Sequence, residues 1–264
     1  MKLGCCVGML SKSKERVGDE IIHLFEKLGY DYVELPLAQV MALSDEAFFE
    51  MNERLKSNKI PVEACNNFFP PSVRLTGGDA SMEKILEYTR KATDRAAQMG
   101  VRVIVLGSAG AKNIPQGFPV EEAHKQFITA LRGIQPIVEP LCITVVLEPL
   151  NKLESNFITT AQEGLDLMKE ADCENIKLLI DYYHLRMENE PLDIVKEAGS
   201  DLRHVHIAAK EGRRFPSEKD GEGYGAFFDA LKSISYSGRV SIEGFLGDVE
   251  VDGKASFDLL RRFL

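Results

Sequence analysis

Lys177-Leu-Leu-Ile-Asp-Tyr-Tyr-His184 is a short apolar run that stops on a carboxylate, with a histidine three residues later. Such a run reads as a strand buried on both faces of a parallel sheet. Asp181 then stands at the strand's C-terminal end, the side on which α/β folds bind ligands. Alone it means little, because an aspartate there is often only the cap of the next helix. The pattern recurs, however. Glu148 follows Ile143-Thr-Val-Val-Leu147, His206 follows Leu202-Arg-His-Val205, and Glu243 follows Val240-Ser-Ile242. The four residues are separated by 33, 25 and 37 positions, and each interval suits one β-α-β unit.

Outward from these positions the chain alternates regularly. Strands are expected at Leu3–Val7, Tyr32–Leu35, Ile60–Cys65, Val101–Leu106, Ile143–Leu147, Lys177–Ile180, Arg203–Ile207 and Arg239–Ile242. Helical patterns lie between and after them. Lys14–Leu28 is amphipathic and closed by Gly29, Ser44–Ser57 is capped by Ser44, and Asp79–Met99 is capped by Asp79. Pro119–Glu139 begins at a tolerated proline, with Pro136 expected to break its last turn. Thr160-Ala-Gln-Glu163 is a capping-box pattern, and Leu192–Ala198, Gly223–Ser235 and Ala255–Phe263 complete the set. Eight alternating units predict an α/β protein, a (β/α)8 barrel spanning residues 1–264 as one domain. A doubly wound sheet fits less well, since the G-x-G-x-x-G fingerprint is absent.

Composition narrows the function. The chain has 264 residues, 44% hydrophobic and 28% charged, enough to build a full core. A net charge of −9 gives no general attraction for nucleic acid or anionic membrane. No apolar run approaches the roughly 20 residues of a membrane span. The N-terminus lacks a signal-peptide h-region and reads as a first strand. The five cysteines, Cys5, Cys6, Cys65, Cys142 and Cys173, show no C-x-x-C spacing. They read as buried reduced thiols of a cytoplasmic protein. Cys5 and Cys6, being adjacent, should point to opposite faces of their strand.

Glu148, Asp181, His206 and Glu243 fall on strands five to eight, which are neighbours in a barrel, so their ends can converge. Three carboxylates and an imidazole suit one divalent cation, Mn²⁺, Mg²⁺ or Co²⁺, rather than a thiolate-rich zinc site. Their mutual repulsion points the same way, since packed anions need a cation between them. His204, two residues before His206, is expected to fill the barrel interior.

Several segments together resemble the xylose-isomerase-like barrel superfamily of sugar isomerases and epimerases. They are Val33-Glu-Leu, Val146-Leu-Glu-Pro-Leu150, Leu179-Ile-Asp-x-x-His184, His204-Val-His-Ile207, Asp220-Gly-Glu-Gly with Phe227-Phe228, and Ser241-Ile-Glu-Gly244. The pattern is most similar to the ketose 3-epimerases of the tagatose/psicose type. The resemblance implies one metal held by Glu148, Asp181, His206 and Glu243. It implies substrate contacts from Glu154, His184 and an arginine after strand seven, either Arg213 or Arg214. It also implies a homo-oligomer, a dimer or a tetramer. Glu148 and Glu243 are then the expected catalytic pair, moving the C3 proton of a metal-chelated ketose through a cis-enediolate. The loops Asn66-Asn67-Phe68-Phe69-Pro70 and Pro36-Leu37 are expected to set substrate choice, with Asn66 a substrate contact. The endonuclease IV relatives need a three-metal site richer in histidine, whereas Asn66, Asn67 and Ser108 stand after strands three and four. The alternatives in view are an inosose-type keto-polyol dehydratase, a hydroxypyruvate-type isomerase and a non-catalytic barrel subunit. Intact Glu148, Asp181, His206 and Glu243 at four strand ends argue against the last.

Overall fold

A computed structural model describes residues 1–264. Eight parallel strands close a barrel in chain order: β1 (Lys2–Cys6), β2 (Tyr32–Pro36), β3 (Val62–Asn66), β4 (Val103–Leu106), β5 (Thr144–Leu147), β6 (Ile176–Asp181), β7 (Leu202–Ile207) and β8 (Arg239–Ile242). Helices lie between successive strands, as the (β/α)8 reading expects. No helix is long and apolar enough to cross a membrane.

Closure buries both faces of nearly every strand, which is why the strands read as continuous apolar runs. The outward faces and the helices share one large core that includes Phe25, Phe127, Phe227 and Phe228. A smaller apolar cluster fills the barrel itself: Tyr32, Ala64, Val103, Val105, Val146 and Leu179. Each fully buried side chain of this size stabilises the fold by about 1.5–3 kcal/mol. The Tyr32 ring occupies the space that a Cβ at position 4 would need, so Gly4 is required there. Alternation then lifts the next inward residues toward the C-terminal rim. Asp181 pairs with His206 across β6 and β7, and His206 with Ser241 across β7 and β8.

The helices differ from the sequence expectation at their starts. The first is confined to Ile22–Leu28, after a 3₁₀ turn at Asp19–Ile21. Arg16 and Gly18 both hold positive φ, so residues 14–18 form a loop instead. The second long helix begins at Met82 with Ser81, not Asp79, as its cap. The helix Val120–Val138 carries Pro136 inside it and ends only two residues later, in a 3₁₀ turn. Thr160 caps its helix by accepting from the Glu163 amide, but the Glu163 carboxylate returns to the Thr159 amide. Short helices also occur at Leu37–Ala42, Ala109–Lys112 and Tyr182–Met187, outside the helical patterns expected from the sequence. All five cysteines are free; Cys5, Cys6 and Cys65 are buried, whereas Cys142 is exposed and Cys173 half-buried.

Candidate active site

The ends of β5 to β8 converge as their order requires. Metal-ligating atoms of Glu148, Asp181, His206 and Glu243 all lie within 4.8 Å of one another, and all four residues are buried. His206 Nδ1 is 3.1 Å from Glu148 Oε1 and 3.3 Å from Glu243 Oε2. Asp181 serves two purposes. Its Oδ1 accepts from the Tyr183 amide at 2.9 Å, capping the helix Tyr182–Met187, and its Oδ2 faces inward. The cap reading and the ligand reading of this residue are compatible because they use different oxygens.

Around this cluster stand the other residues singled out in the sequence. Asn66, at the end of β3, donates its amide to Glu243 Oε1 at 2.7 Å, while its Oδ1 is buried without a partner. His184 is buried; its Nδ1 accepts from the Asn151 backbone amide at 3.1 Å. Burial first, and then the Arg213 charge, push the imidazole down to about 3, so it is neutral and Nε2 carries the hydrogen. That Nε2 has no hydrogen-bond partner and lies 3.6 Å from Asp181 Oδ2. Arg213 reaches over the cluster, with Asp181 Oδ2 at 3.4 Å, Glu154 Oε2 at 3.2 Å and Glu243 in direct contact. Its guanidinium also lies on the Tyr183 ring, 4.8 Å from the centroid. Glu154 is further fixed by the Asn151 amide at 3.0 Å.

Arg214, named beside Arg213 as a possible contact, does not join them. A kink with φ of 72° at Gly212 and 46° at Arg213 separates the two side chains. Arg214 turns outward, donating to the Glu211 carbonyl at 3.1 Å with Asp220 at 3.8 Å. The expected substrate loop also divides. Asn66, Asn67 and Pro36 line the cavity, whereas Phe68, Phe69 and Leu37 are packed away in the core. Phe69 donates its amide to Ser108 Oγ at 3.0 Å, and the Phe68 carbonyl accepts from Tyr88 at 2.9 Å, which pins that wall.

The cavity over the cluster has a volume of about 300 Å³ and is lined mainly by polar residues, among them Arg16, Gln39, Asn67 and Ser108. Its electrostatics are those of crowded anions. Burial and the neighbouring Glu243 raise Glu148, and burial carries Asp181 up to about 7 against the pull of Arg213 and His206. Burial would raise Glu243 too, but His206 and Arg213 hold it well below the usual carboxylate range.

Three supporting residues were missed by the sequence reading. Lys112 is fully buried and donates to the Glu148 carbonyl at 2.8 Å, tying down the end of β5. Burial lowers its ammonium to about 8. Gly107, at the end of β4, leaves no room for a side chain, since a Cβ there would collide with the Glu148 carboxylate. Glu34, inward-facing on β2, contacts His204, His206 and Ser241. His204 does fill the barrel interior, outside the converging set. The only legible signals were a lone carboxylate in an apolar strand and a lysine and glycine in an apparent loop.

The donor set fits a divalent cation. Oxygens bound to one small divalent cation at about 2.1 Å lie no more than roughly 4.2 Å apart, and candidate ligand atoms that all fall within 4.8 Å of one another are close enough to share one ion. Two carboxylates 4 Å apart repel by about 4 kcal/mol at an effective dielectric near 20. One guanidinium over three carboxylates leaves room for further positive charge. The orphaned Asn66 Oδ1 and His184 Nε2 are polar atoms left free to meet a ligand.

Residues 22–263 match the model of the xylose isomerase-like TIM barrel family. The chain is 32% identical over 231 residues to a D-psicose 3-epimerase of Ruminiclostridium cellulolyticum, covering 83% of this chain and 75% of that protein. It is 29% identical over 236 residues to an L-ribulose 3-epimerase of a Methylomonas species, covering 87% and 79%. In three dimensions it superposes on a D-psicose 3-epimerase from Clostridium cellulolyticum H10, solved with D-tagatose, with a TM-score of 0.87 over 100% of this chain and 99% of that one, at 22% identity. With a closed eight-stranded barrel and the family match running through nearly all of it, the chain belongs to the xylose isomerase-like TIM barrel family.

Proposed function

We propose that this protein is a divalent-metal-dependent epimerase of a ketose or keto-sugar derivative, with Glu148 and Glu243 as its proton-transfer pair. That it is an enzyme of the isomerase/epimerase kind follows from its relatives, which are D-psicose and L-ribulose 3-epimerases. The observation that carries the finer reading is the convergence of Glu148, Asp181, His206 and Glu243 on one point beneath a polar cavity.

Glu148, Asp181, His206 and Glu243 would hold Mn²⁺, Mg²⁺ or Co²⁺. When bound, the cation supplies Lewis-acid polarisation of the substrate carbonyl and charge balance for the oxyanion that deprotonation creates. Glu148 and Glu243 come from β5 and β8, three strands apart, and stand 3.1 and 3.3 Å from His206 Nδ1, so a substrate seated over the cluster would meet a carboxylate from each. One takes the C3 proton and the other returns a proton to the opposite face. His184 offers an Nε2–H to a substrate oxygen, because the Asn151 amide already occupies Nδ1. Glu154 and Arg213 form an ion pair at the rim, where they can exchange their mutual contact for sugar hydroxyls. Asn66 holds Glu243 in place from the opposite wall.

The test is metal content of the purified protein followed by incubation with a ketose panel and Mn²⁺ in D₂O. The expected result is one ion per chain and deuterium at C3. Deuterium at C1 or C2 would convert the reading to aldose–ketose isomerisation, and water loss would make the protein a dehydratase. No bound ion and no exchange on any keto-sugar would remove the proposal.

A further inference from the structure

Beneath the cluster, on the far edge of the His206 ring, lies a second buried group of polar side chains that the reaction does not touch. Glu34 is fully buried inside the barrel, and its oxygens meet two imidazole nitrogens and one hydroxyl. His204 Nε2 is 2.9 Å from Oε2, and Ser241 Oγ donates to the same oxygen at 2.7 Å. Tyr32 Oη lies 2.7 Å from that serine oxygen and extends the chain of hydroxyls. His206 Nε2 stands 3.2 Å from Oε1 and 3.3 Å from Oε2. A buried carboxyl whose hydrogen-bond partners are a hydroxyl and two imidazoles is accommodated as the anion, because each of these groups can donate to it. An ionised carboxylate can only accept, so the imidazole nitrogen facing it must carry the hydrogen.

We infer that Glu34 is a positioning residue for the metal centre: it fixes His206 with hydrogen on Nε2, so that Nδ1 is the nitrogen presented to the cation. The inference rests on the metal-dependent reading above and deepens it. Two observations select this arrangement. Only Nδ1 faces Glu148 and Glu243, at 3.1 and 3.3 Å, so it lies on the ligand side. Cys6 Sγ, 3.8 Å from Nε2, makes Cys6, Glu34 and His206 another group with metal-binding atoms close together. The Glu34 oxygens are already taken by His204, Ser241 and His206, and the nitrogen in question holds a hydrogen. The lower group therefore supports the upper one and does not compete with it for the ion. A carboxylate behind a ligating histidine both orients the ring and makes its free nitrogen a stronger donor to the metal.

The experiment uses full-length protein stripped with a chelator. Mn²⁺ titration followed by electron paramagnetic resonance gives the affinity of wild type and of Glu34→Gln, and circular dichroism and Tm report the fold. The expected result is a 10- to 100-fold loss of Mn²⁺ affinity in Glu34→Gln. In Zn²⁺-loaded wild type labelled with ¹⁵N-histidine, His206 should show a directly bonded hydrogen on Nε2 and a metal-shifted Nδ1. Unchanged affinity in a folded Glu34→Gln overturns the inference, as does a lower Tm with unchanged affinity, which is the mark of a purely structural carboxylate. Metal on Nε2 in the wild type overturns it as well, and that spectrum decides alone if the variant does not fold. Wild type that binds no cation would instead sink the metal-dependent reading, and this inference with it.

Discussion

Strands β5 to β8 each bring one member of the Glu148, Asp181, His206 and Glu243 cluster to the rim, whereas β1 to β4 bring none of the four. The first half of the barrel contributes Asn66 against Glu243, Gly107 against Glu148, and Glu34 against His206. One half therefore supplies donors and the other supplies the walls and props that aim them. The two differ in how they tolerate change. A ligand position is defined by chemical type, so few residues can replace it. A prop is defined by shape or by a single hydrogen bond, so its loss should weaken the site by degrees. The comparison also explains why the site looks self-sufficient when only the second half is considered.

The largest effects should come from the donor half. Glu148→Gln and Glu243→Gln should each lower kcat by about 10²- to 10⁴-fold, the usual range for removing a general acid or base. Turnover measured beside metal content checks this. Either variant retaining activity with a full complement of ion would end the assignment of that residue as a proton carrier.

Gly107→Ala should come next and is the sharpest probe of the division. The added Cβ meets the Glu148 carboxylate, so that carboxylate must move, and displacing a proposed proton carrier by about 1 Å should cost on the order of 10²-fold. Lower kcat with little change in Tm would support the view that the first half aims the second. Wild-type kinetics would show that Glu148 has freedom to move and that the halves are less coupled than the packing implies. Asn66→Ala should be milder. It removes one hydrogen bond to a charged group, about 1.5–3 kcal/mol in general, so a drop of roughly tenfold or more in kcat/KM is expected. Because Asn66 lines the cavity and also holds Glu243, KM and kcat should both shift.

Legibility in the sequence followed the same division. The four clustered residues could be read because their types are unusual at the ends of apolar runs and because they recur with the period of the repeat. Glu34 follows an equally apolar strand start, Tyr32-Val, but Leu35 and Pro36 continue the run beyond it, so it did not mark a strand end. Its partners, His204 and Ser241, lie about 170 and 207 positions away, a separation that no local pattern encodes. Lys112 sits in a segment punctuated by Gly107, Gly110 and Gly117, where an isolated lysine reads as solvated; only the fold shows it buried. Helix starts failed for a related reason. Positive φ at Arg16 delays the first helix to Ile22, and an arginine carries no sequence signal for that conformation.

Arg214 carries the smallest expected effect, and it contrasts with the residue beside it, Arg213. They are adjacent, equally charged and equally placed after β7, so sequence alone cannot separate them. The backbone does, because positive φ at Gly212 and Arg213 turns one guanidinium into the cluster and the next toward Asp220. The Arg214 side chain is 58% exposed, and its 3.8 Å approach to Asp220 is a solvent-screened pair worth at most about 1 kcal/mol. Arg214→Ala should therefore leave kcat/KM within about twofold of wild type and shift Tm only slightly. Arg213→Ala, by contrast, removes the cation shared by Asp181, Glu154 and Glu243 and should be severely impaired. Comparing kcat/KM for the two variants on one substrate checks this directly. Equal losses would mean that the loop after β7 acts as a single basic surface, and the kink would lose its meaning. Unequal losses in the expected order would show that two successive left-handed residues, Gly212 and Arg213, decide which of two identical side chains serves the site.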